Sequence, residues 1–393
     1  MAAIGAQRYI PSFLGPLAAA VTLAATLLAT TAAQAEQTKA PAAGPSRIAV
    51  EVVAKGLAHP WSLTFLPDGR MLVTERAGRI RIVDREGNVS KPLAGVPTVA
   101  ATGQGGLLDI ALAPDFERSR LVYVSFSEPR GDRLNGTSVA RARLAGTRGD
   151  ERLADLEVIF RQEPGHSGGL HFGSRLVFAP DGTLFVTLGE RFEMRYAQDL
   201  GRHWGKVIRI LPDGGVPPDN PFSGQAGARP EIWSYGHRNA QAAAINPATG
   251  VLWVIEHGPR GGDEVNIVAR GANYGWPVIG YGIDYSGRRL HDATHKEGMQ
   301  QPLYYWVPSI APSGMAFYTG DLFPDWRGNV FTGALAGKAL HRLVLDGPRV
   351  VGEEVLLRER GERIRDVRQG PDGALWLLTD EADGTILRLT PRP

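Results

Sequence analysis

Hydrophobic and polar positions along this chain alternate in short bursts, and each burst follows a turn built on Pro, Asp and Gly. The pairing recurs six times: FLPDGRMLVTE (65–75), LAPDFERSRLVYVSF (112–126), FAPDGTLFVTLGE (178–190), INPATGVLWVIEHG (245–258), LFPDWRGNVFTGAL (322–335) and GPDGALWLLTDE (370–381). Proline presets the turn, Asp and Gly complete it, and the period-two run of β-branched, aromatic and leucine residues predicts a strand. Further strand-like runs such as GRIRIVDREG and GTILRLTP lie between the copies, and no segment carries a long helical period. The copies are about 47 residues apart at each end and about 65 to 75 in the middle, the size of a blade of several strands. The expectation is all-β: a six-bladed β-propeller with long loop insertions on one face, with a two-sheet sandwich as the alternative. The insertions are expected between about 127 and 171 and between 189 and 316.

Composition adds the compartment. Residues 1–35 carry a lone Arg8, a small-residue apolar run and Ala33-Gln34-Ala35 at its end, which predicts a secretory signal peptide cleaved after about Ala35. A membrane anchor is the alternative, opposed by Pro16 and the threonines that interrupt the run. The expected product is exported and periplasmic, without stable membrane insertion: a flexible leader over 36–47, then one propeller domain over 48–393. The 393 residues include no cysteine, which excludes disulfides, thiolate metal sites and cysteine nucleophiles. A formal net charge of +2 gives no nucleic-acid footprint.

The densest chemistry lies in YGHRNAQ, EHGPRGGDEVN and GANYGWPVIGYGIDYSG, between Tyr235 and Tyr285. Carboxylates, carbonyls in Gly/Pro turns and the lack of thiols suit a hard cation such as calcium; taken alone, GGDE is more often a solvated turn than a ligand. Arg238, and Arg363 with Arg365 on one face of a predicted strand, call for anions if they point to a propeller axis. Pairing with carboxylates on a solvated edge is the other reading. In GHSGGLHFGSRLVFAPDGTLFVTLGE (165–190), His171 sits at a predicted strand entry and is the candidate general base, whereas His166 is expected to be an ordinary loop histidine. The glycines around it are expected to give a flat ligand room to approach the backbone.

GQGGLLDIALAPDF, GLHFGSRLVF, SYGHRNAQ, EHGPRGGDEVN, NYGWP, APSGMAFY and RIRDVRQGPDG together resemble the soluble pyrroloquinoline quinone (PQQ)-dependent aldose sugar dehydrogenases, the glucose/sorbosone dehydrogenase family. The motifs span about residues 48 to 390 in the family's order. The resemblance implies a six-bladed propeller with PQQ lying over the axis. It implies that His171 takes the proton of the sugar's anomeric hydroxyl as hydride leaves C1 for the quinone, supported by Glu190. Arg238, Asn239 and Gln104 match polar groups around the quinone, and Arg363 and Arg365 match the cations on its carboxylates. The carbonyls of Gly258 and Pro259 match ligands of a calcium beside PQQ; Glu264 and the Tyr274 carbonyl match a second, structural calcium. Ser309, Ala311 and Tyr285 fall where the family's chain touches the cofactor. One departure stands out: the family's quinone-contacting lysine is replaced at the matching position by Ala336, with Lys338 two residues on, so either the turn is rearranged and Lys338 reaches the cofactor or the cofactor lacks one cation.

Three activities are therefore open. The first is a PQQ- and calcium-dependent dehydrogenase converting aldoses to lactones, with electrons passed to an external quinone, dye or small redox protein. The others are a calcium-dependent propeller lactonase, with carboxylates crowding the metal, and a propeller that binds without catalysis. The arginines favour the first over the second, and His171 with Glu190 favours it over the third.

Overall fold

The computed structural model describes residues 39–392; the predicted signal peptide lies outside them. Each Pro/Asp/Gly phrase becomes the hairpin joining the first and second strands of one sheet, so six phrases give six sheets. Blade 1 is Pro60–Phe65, Met71–Glu75 and Arg79–Val83. Blade 2 is Leu107–Leu112, Leu121–Pro129, Asn135–Ala145 and Arg152–Arg161. Blade 3 is Leu176–Phe178, Leu184–Leu188, Lys206–Ile210 and Ile232–Tyr235, and blade 4 is Ala240–Ile245, Leu252–Glu256, Asp263–Ile267 and Tyr304–Trp306. Blade 5 is Pro312–Phe317, Val330–Ala334, Ala339–Asp346 and Arg349–Leu356. Blade 6 runs Ile364–Gln369, Leu375–Thr379 and Gly384–Pro391, and its outer strand is Ile48–Leu57, paired antiparallel with Gly384–Pro391. The first strands of successive blades touch around a closed ring, which makes the six sheets a six-bladed β-propeller and excludes the sandwich.

Second strands such as Leu184–Leu188 and Leu375–Thr379 are buried at every position, because a blade between two others hides both its faces. The apolar core is accordingly a series of inter-blade layers. Leu72 and Ile80 of blade 1 meet Ile110, Val124 and Ala142 of blade 2, and Phe331 and Leu340 of blade 5 meet Leu375, Leu377 and Leu387 of blade 6.

Two expectations change. Much of 127–171, expected as an insertion, is blade 2's two long outer strands; the long connections are 189–205, 211–231 and 268–303. The leader's last residues are pinned rather than flexible: Ala43 donates its N–H to the Glu353 carbonyl at 2.9 Å, and the Ser46 hydroxyl donates to Glu354 at 2.7 Å. Among the described residues the sole α-helix is the four-residue Phe116–Ser119, and no helix is long and apolar enough to cross a membrane.

Candidate active site

The blades repeat one local device. A carboxylate at the end of a second strand grips the segment leading into the first strand of the same blade. In blade 1, Glu75 accepts the Ala58 N–H at 2.7 Å. In blade 3, Glu190 meets His171 Nδ1 at 2.6 Å. In blade 4, Glu256 meets His237 Nδ1 at 2.9 Å and accepts the Arg238 N–H at 2.6 Å. In blade 6, Asp380 accepts from Arg363 at 3.2 Å and from Arg365 at 3.0 Å. Antiparallel pairing produces this, because a second strand ends where the first begins, as Pro60 opposite Glu75 and Ala240 opposite Glu256 show. All four grips therefore lie on one face, around the axis.

His171 and Glu190 are both buried. The Glu190 Oε2 atom also accepts the Phe192 N–H at 2.6 Å, and the Gln104 side-chain oxygen accepts the His171 N–H at 2.9 Å. Nδ1 facing a carboxylate is the protonated nitrogen, which leaves Nε2 as the free base; Nε2 has no hydrogen bond among the described residues. Burial holds the His171 pKa below the usual histidine range; Glu190 opposes that shift, and Arg238 and Arg191 add to it. His171 is therefore neutral near pH 7.

Glycine permits the close backbone approaches here. A Cβ on Gly189 would lie 2.1 Å from the His171 carbonyl oxygen, and one on Gly103 would lie 2.3 Å from that of Gly169. The space beside these two glycines is filled by neighbouring backbone, so at Gly189 the missing side chain serves packing of the base. His166 is a loop residue as expected: its Nδ1 accepts the Gly168 N–H at 2.8 Å and its ring packs edge-on against Trp204.

Beside the base lies a cationic floor. Arg238 and Asn239 are buried, and the Asn239 Oδ1 accepts the Gly173 N–H at 3.1 Å. Arg365 is buried and donates to Gln241 at 3.1 Å as well as to Asp380. His257, which donates from Nε2 to the Pro312 carbonyl at 2.6 Å, reports the local field. Its pKa is pushed down to about 3, first by burial and then by Arg238, Arg365 and His171. Below the floor, the buried Arg175 reaches Asp366 at 2.9 Å and Asp109 at 3.3 Å, closing the axis with an ion-pair plug.

Gly258, Pro259, Glu264 and Tyr274, predicted as two metal sites, all line one cavity of about 20 Å³ together with Glu256 and His291, room for a single water-sized body. The Glu264 pKa is raised well above the ordinary carboxylate range, first by burial and then by the facing charge of Glu256. The Gly258 carbonyl already accepts from Arg238 Nη1 at 2.7 Å. Among the described residues no three His, Asp or Glu side chains converge as a metal group.

At the rim, Ser309 does not stand open: its hydroxyl donates to Asp263 at 2.7 Å. The same carboxylate accepts the Ile310 and Ala311 N–H groups at 2.7 and 2.9 Å and the Gly258 N–H at 2.8 Å. Burial raises the Asp263 pKa despite these bonds. Tyr285 is exposed, and its hydroxyl lies 3.4 Å from Arg238 Nη2. Ala336 and Lys338 are exposed on the turn whose Ala336 and Gly337 N–H groups donate to the Ile310 carbonyl. Lys338 makes no hydrogen bond or ion pair to another site residue among those described.

The sequence reading missed Asp380, Glu256, His257, Gln241 and the turn Arg191–Phe192, and weighed Asp263 only within GGDE, as a cation ligand or a solvated turn. Aligning the strand ends MLVTE, LFVTLGE, LWVIE and LWLLTDE exposes the recurring acid and would have found the first two. The others carry no pattern, because distant segments assemble them.

Fold and site define a propeller enzyme with a buried histidine–carboxylate pair beside an arginine-rich axial floor. The chain belongs to the glucose/sorbosone dehydrogenase family, whose model matches residues 57–388, the family that the ordered motifs resemble. It is 48% identical over 353 residues to aldose sugar dehydrogenase YliI of Escherichia coli (strain K12), covering 89% of this chain and 95% of that protein. Among solved structures, the apo form of the soluble aldose sugar dehydrogenase of Escherichia coli is similar with a TM-score of 0.85 at 47% identity, over 88% of this chain and 100% of that one. The PQQ-bound form of the aldose sugar dehydrogenase of Streptomyces coelicolor is similar with a TM-score of 0.72 at 31% identity, over 88% and 100%.

Proposed function

We propose that the protein is a PQQ- and calcium-dependent dehydrogenase that oxidises the C1 hydroxyl of aldoses to lactones and passes the electrons to an external acceptor, in the periplasm after export. The observation that carries the proposal is the buried His171–Glu190 pair, with Nε2 unbonded, set against the floor of Arg238 and Arg365. A hydrolytic propeller would turn its carboxylates on the reacting group, whereas the charges that act on His171 besides Glu190 are those of Arg238 and Arg191.

The residues fit the cofactor. Among the described residues Asn239 Nδ2 and Arg365 Nε are buried donors without an acceptor, a costly condition that an acceptor-rich tricarboxylate quinone would relieve. Arg363 and Arg365 would hold its carboxylates, with Arg238, Asn239 and Gln104 around the quinone. Ser309, Ala311, Tyr285 and Lys338 would form the rim. The cavity fits a hard cation: two carboxylates face each other there, with carbonyl oxygens beside them, and Gly258, Pro259, Glu264 and Tyr274 would hold calcium. When bound, PQQ supplies the two-electron acceptor for the C1 hydride and calcium supplies fixed positive charge beside it.

The chain's own part is proton transfer and placement. His171 Nε2 takes the proton from the C1 hydroxyl, so the departing hydride leaves a neutral C1 carbonyl, the lactone. Glu190 holds the ring in the tautomer that keeps Nε2 free and stabilises the imidazolium once it forms. The reading is tested by reconstituting apoprotein with PQQ and calcium and following dye reduction with a panel of aldoses. Sugar-dependent bleaching with lactone release is expected; bound PQQ with no bleaching by any aldose refutes it.

A further inference from the structure

The turn after Glu190 is shaped at a conformational cost that the proton-transfer machinery does not explain. Arg191 and Phe192 both adopt φ of 64°, the left-handed region that disfavours side chains bearing a Cβ. Consecutive residues of this kind persist only where the surroundings hold them. Here four hydrogen bonds and one ring contact do so. Glu190 Oε2 accepts the Phe192 N–H with the same oxygen that meets His171. The Arg191 guanidinium is fully buried, lies 3.7 Å over the Phe172 ring, and donates to the Leu170 carbonyl at 3.0 Å and the Asn135 side chain at 2.8 Å, with a further bond to the Gly168 carbonyl. The outcome is an exposed aromatic: Phe192 is 56% exposed, with its ring 5.3 Å from that of His171.

A buried arginine and a shared carboxylate thus present an apolar ring to solvent beside the unbonded base. We infer that Phe192 is a specificity-determining residue: the platform on which the C–H face of an aldopyranose packs while its C1 hydroxyl meets His171 Nε2. The inference rests on the aldose dehydrogenase reading and extends it to the ring form and face of the substrate. A pyranose has hydroxyls around its edge and an apolar patch of C–H groups on its face, and aromatic side chains supply large apolar area with little loss of conformational freedom. Because Glu190 bonds both His171 and Phe192, base and platform are fixed relative to each other. Sugars whose face carries an axial hydroxyl on the Phe192 side are therefore discriminated against.

The test compares Phe192→Ala, Phe192→Trp and Phe192→Gly with the wild type, each reconstituted with PQQ and calcium. Binding of a 1-deoxy-aldopyranose, which has no C1 hydroxyl to oxidise, is measured by calorimetry alongside steady-state kinetics and thermal melting. The expected result is about a tenfold weaker dissociation constant for the deoxy sugar and a matching rise in KM for aldopyranoses in Phe192→Ala. The kcat–pH profile and the PQQ titration should be unchanged, and Phe192→Trp should restore binding. Phe192→Gly should bind as weakly as Phe192→Ala yet melt no lower than wild type, since glycine relieves the left-handed backbone. The proposal is overturned by unchanged sugar binding in Phe192→Ala. It is overturned equally by a shifted pH profile, which makes Phe192 a shield for His171, or by a raised KM confined to the dye, which makes it an acceptor contact. A wild type that oxidises no aldose instead overturns the assigned function.

Discussion

Replacing Asp380 by Asn isolates what the floor arginines require. Asp380 is the shared partner of Arg365, Arg363 and His59, at 3.0, 3.2 and 3.2 Å. Its burial opposes ionisation, but Arg365 and then Arg363 outweigh that and hold the carboxyl far below its usual range. The Arg363 and His59 side chains are 38% and 43% exposed, so water screens their loss and they contribute little. Arg365 is 9% exposed, and leaving such a charge without its anion costs about 3 kcal/mol. With an unfolding entropy of ~0.7 kcal/mol/K for roughly 350 residues, that lowers Tm by about 4 °C. Differential scanning of the apoprotein at pH 7 measures it. Because the folded pKa is depressed, the stabilisation is present above about pH 4 and fades as pH falls through the folded value, so the wild-type advantage should shrink in acid. PQQ brings carboxylates to the same cations, so adding it should raise the variant's Tm more than the wild type's. An apo variant within 1 °C of wild type refutes the dependence of Arg365 on Asp380. A smaller PQQ-induced rise in the variant refutes the arginines as the anion site.

Other outcomes follow from the same geometry. His171→Ala should leave PQQ titration intact and lower turnover by about a hundredfold or more, while His166→Ala, removing a ring that engages Gly168 and Trp204, should change it little; stopped-flow dye reduction separates them. Since burial and two arginines hold His171 below the usual histidine range, kcat/KM should stay on its plateau as pH falls past about 6.5. A midpoint above that would contradict the field described. Gly189→Ala drives a methyl into the His171 carbonyl and should cost at least about tenfold in kcat, read against PQQ affinity to separate base displacement from misfolding. Chelation of calcium should lower Tm in the wild type. Glu264→Gln removes one of two facing buried carboxylates, so it should melt at or above the calcium-free wild type and lose the calcium-dependent shift.

Much of this was legible in one sequence because a propeller writes its architecture as repetition. Each blade needs the same tight hairpin, and Pro, Asp and Gly mark it six times. Blade 2's outer strands escaped because Ser125 to Ser138 contains glycines and charges that read as loop, although the residues pair across the sheet. The sequence singles out His171 over His166 by its position at a strand entry, and it is His171 that meets Glu190. Asp263 could not be found in the same way: its importance comes from meeting Ser309, Ile310 and Ala311, more than 40 residues later in the chain. The metal residues were expected as two sites, whereas one cavity touches all four, because the turn at Gly258 and the loop at Tyr274 fold back on each other beside Glu264.

The outer strand of blade 6 comes from the far end of the chain, with Glu51 and Arg388 meeting across 337 positions. A nascent polypeptide can therefore assemble its middle blades early but cannot complete the ring until its final strand emerges and finds the waiting partner near the start. Until that moment Leu375–Thr379 has no outer neighbours to seal its sheet, and the two arginines gripped by Asp380 belong to this last blade. Completion of the circle and completion of the anion floor are one event, so a chain truncated before Gly384 should lack both at once.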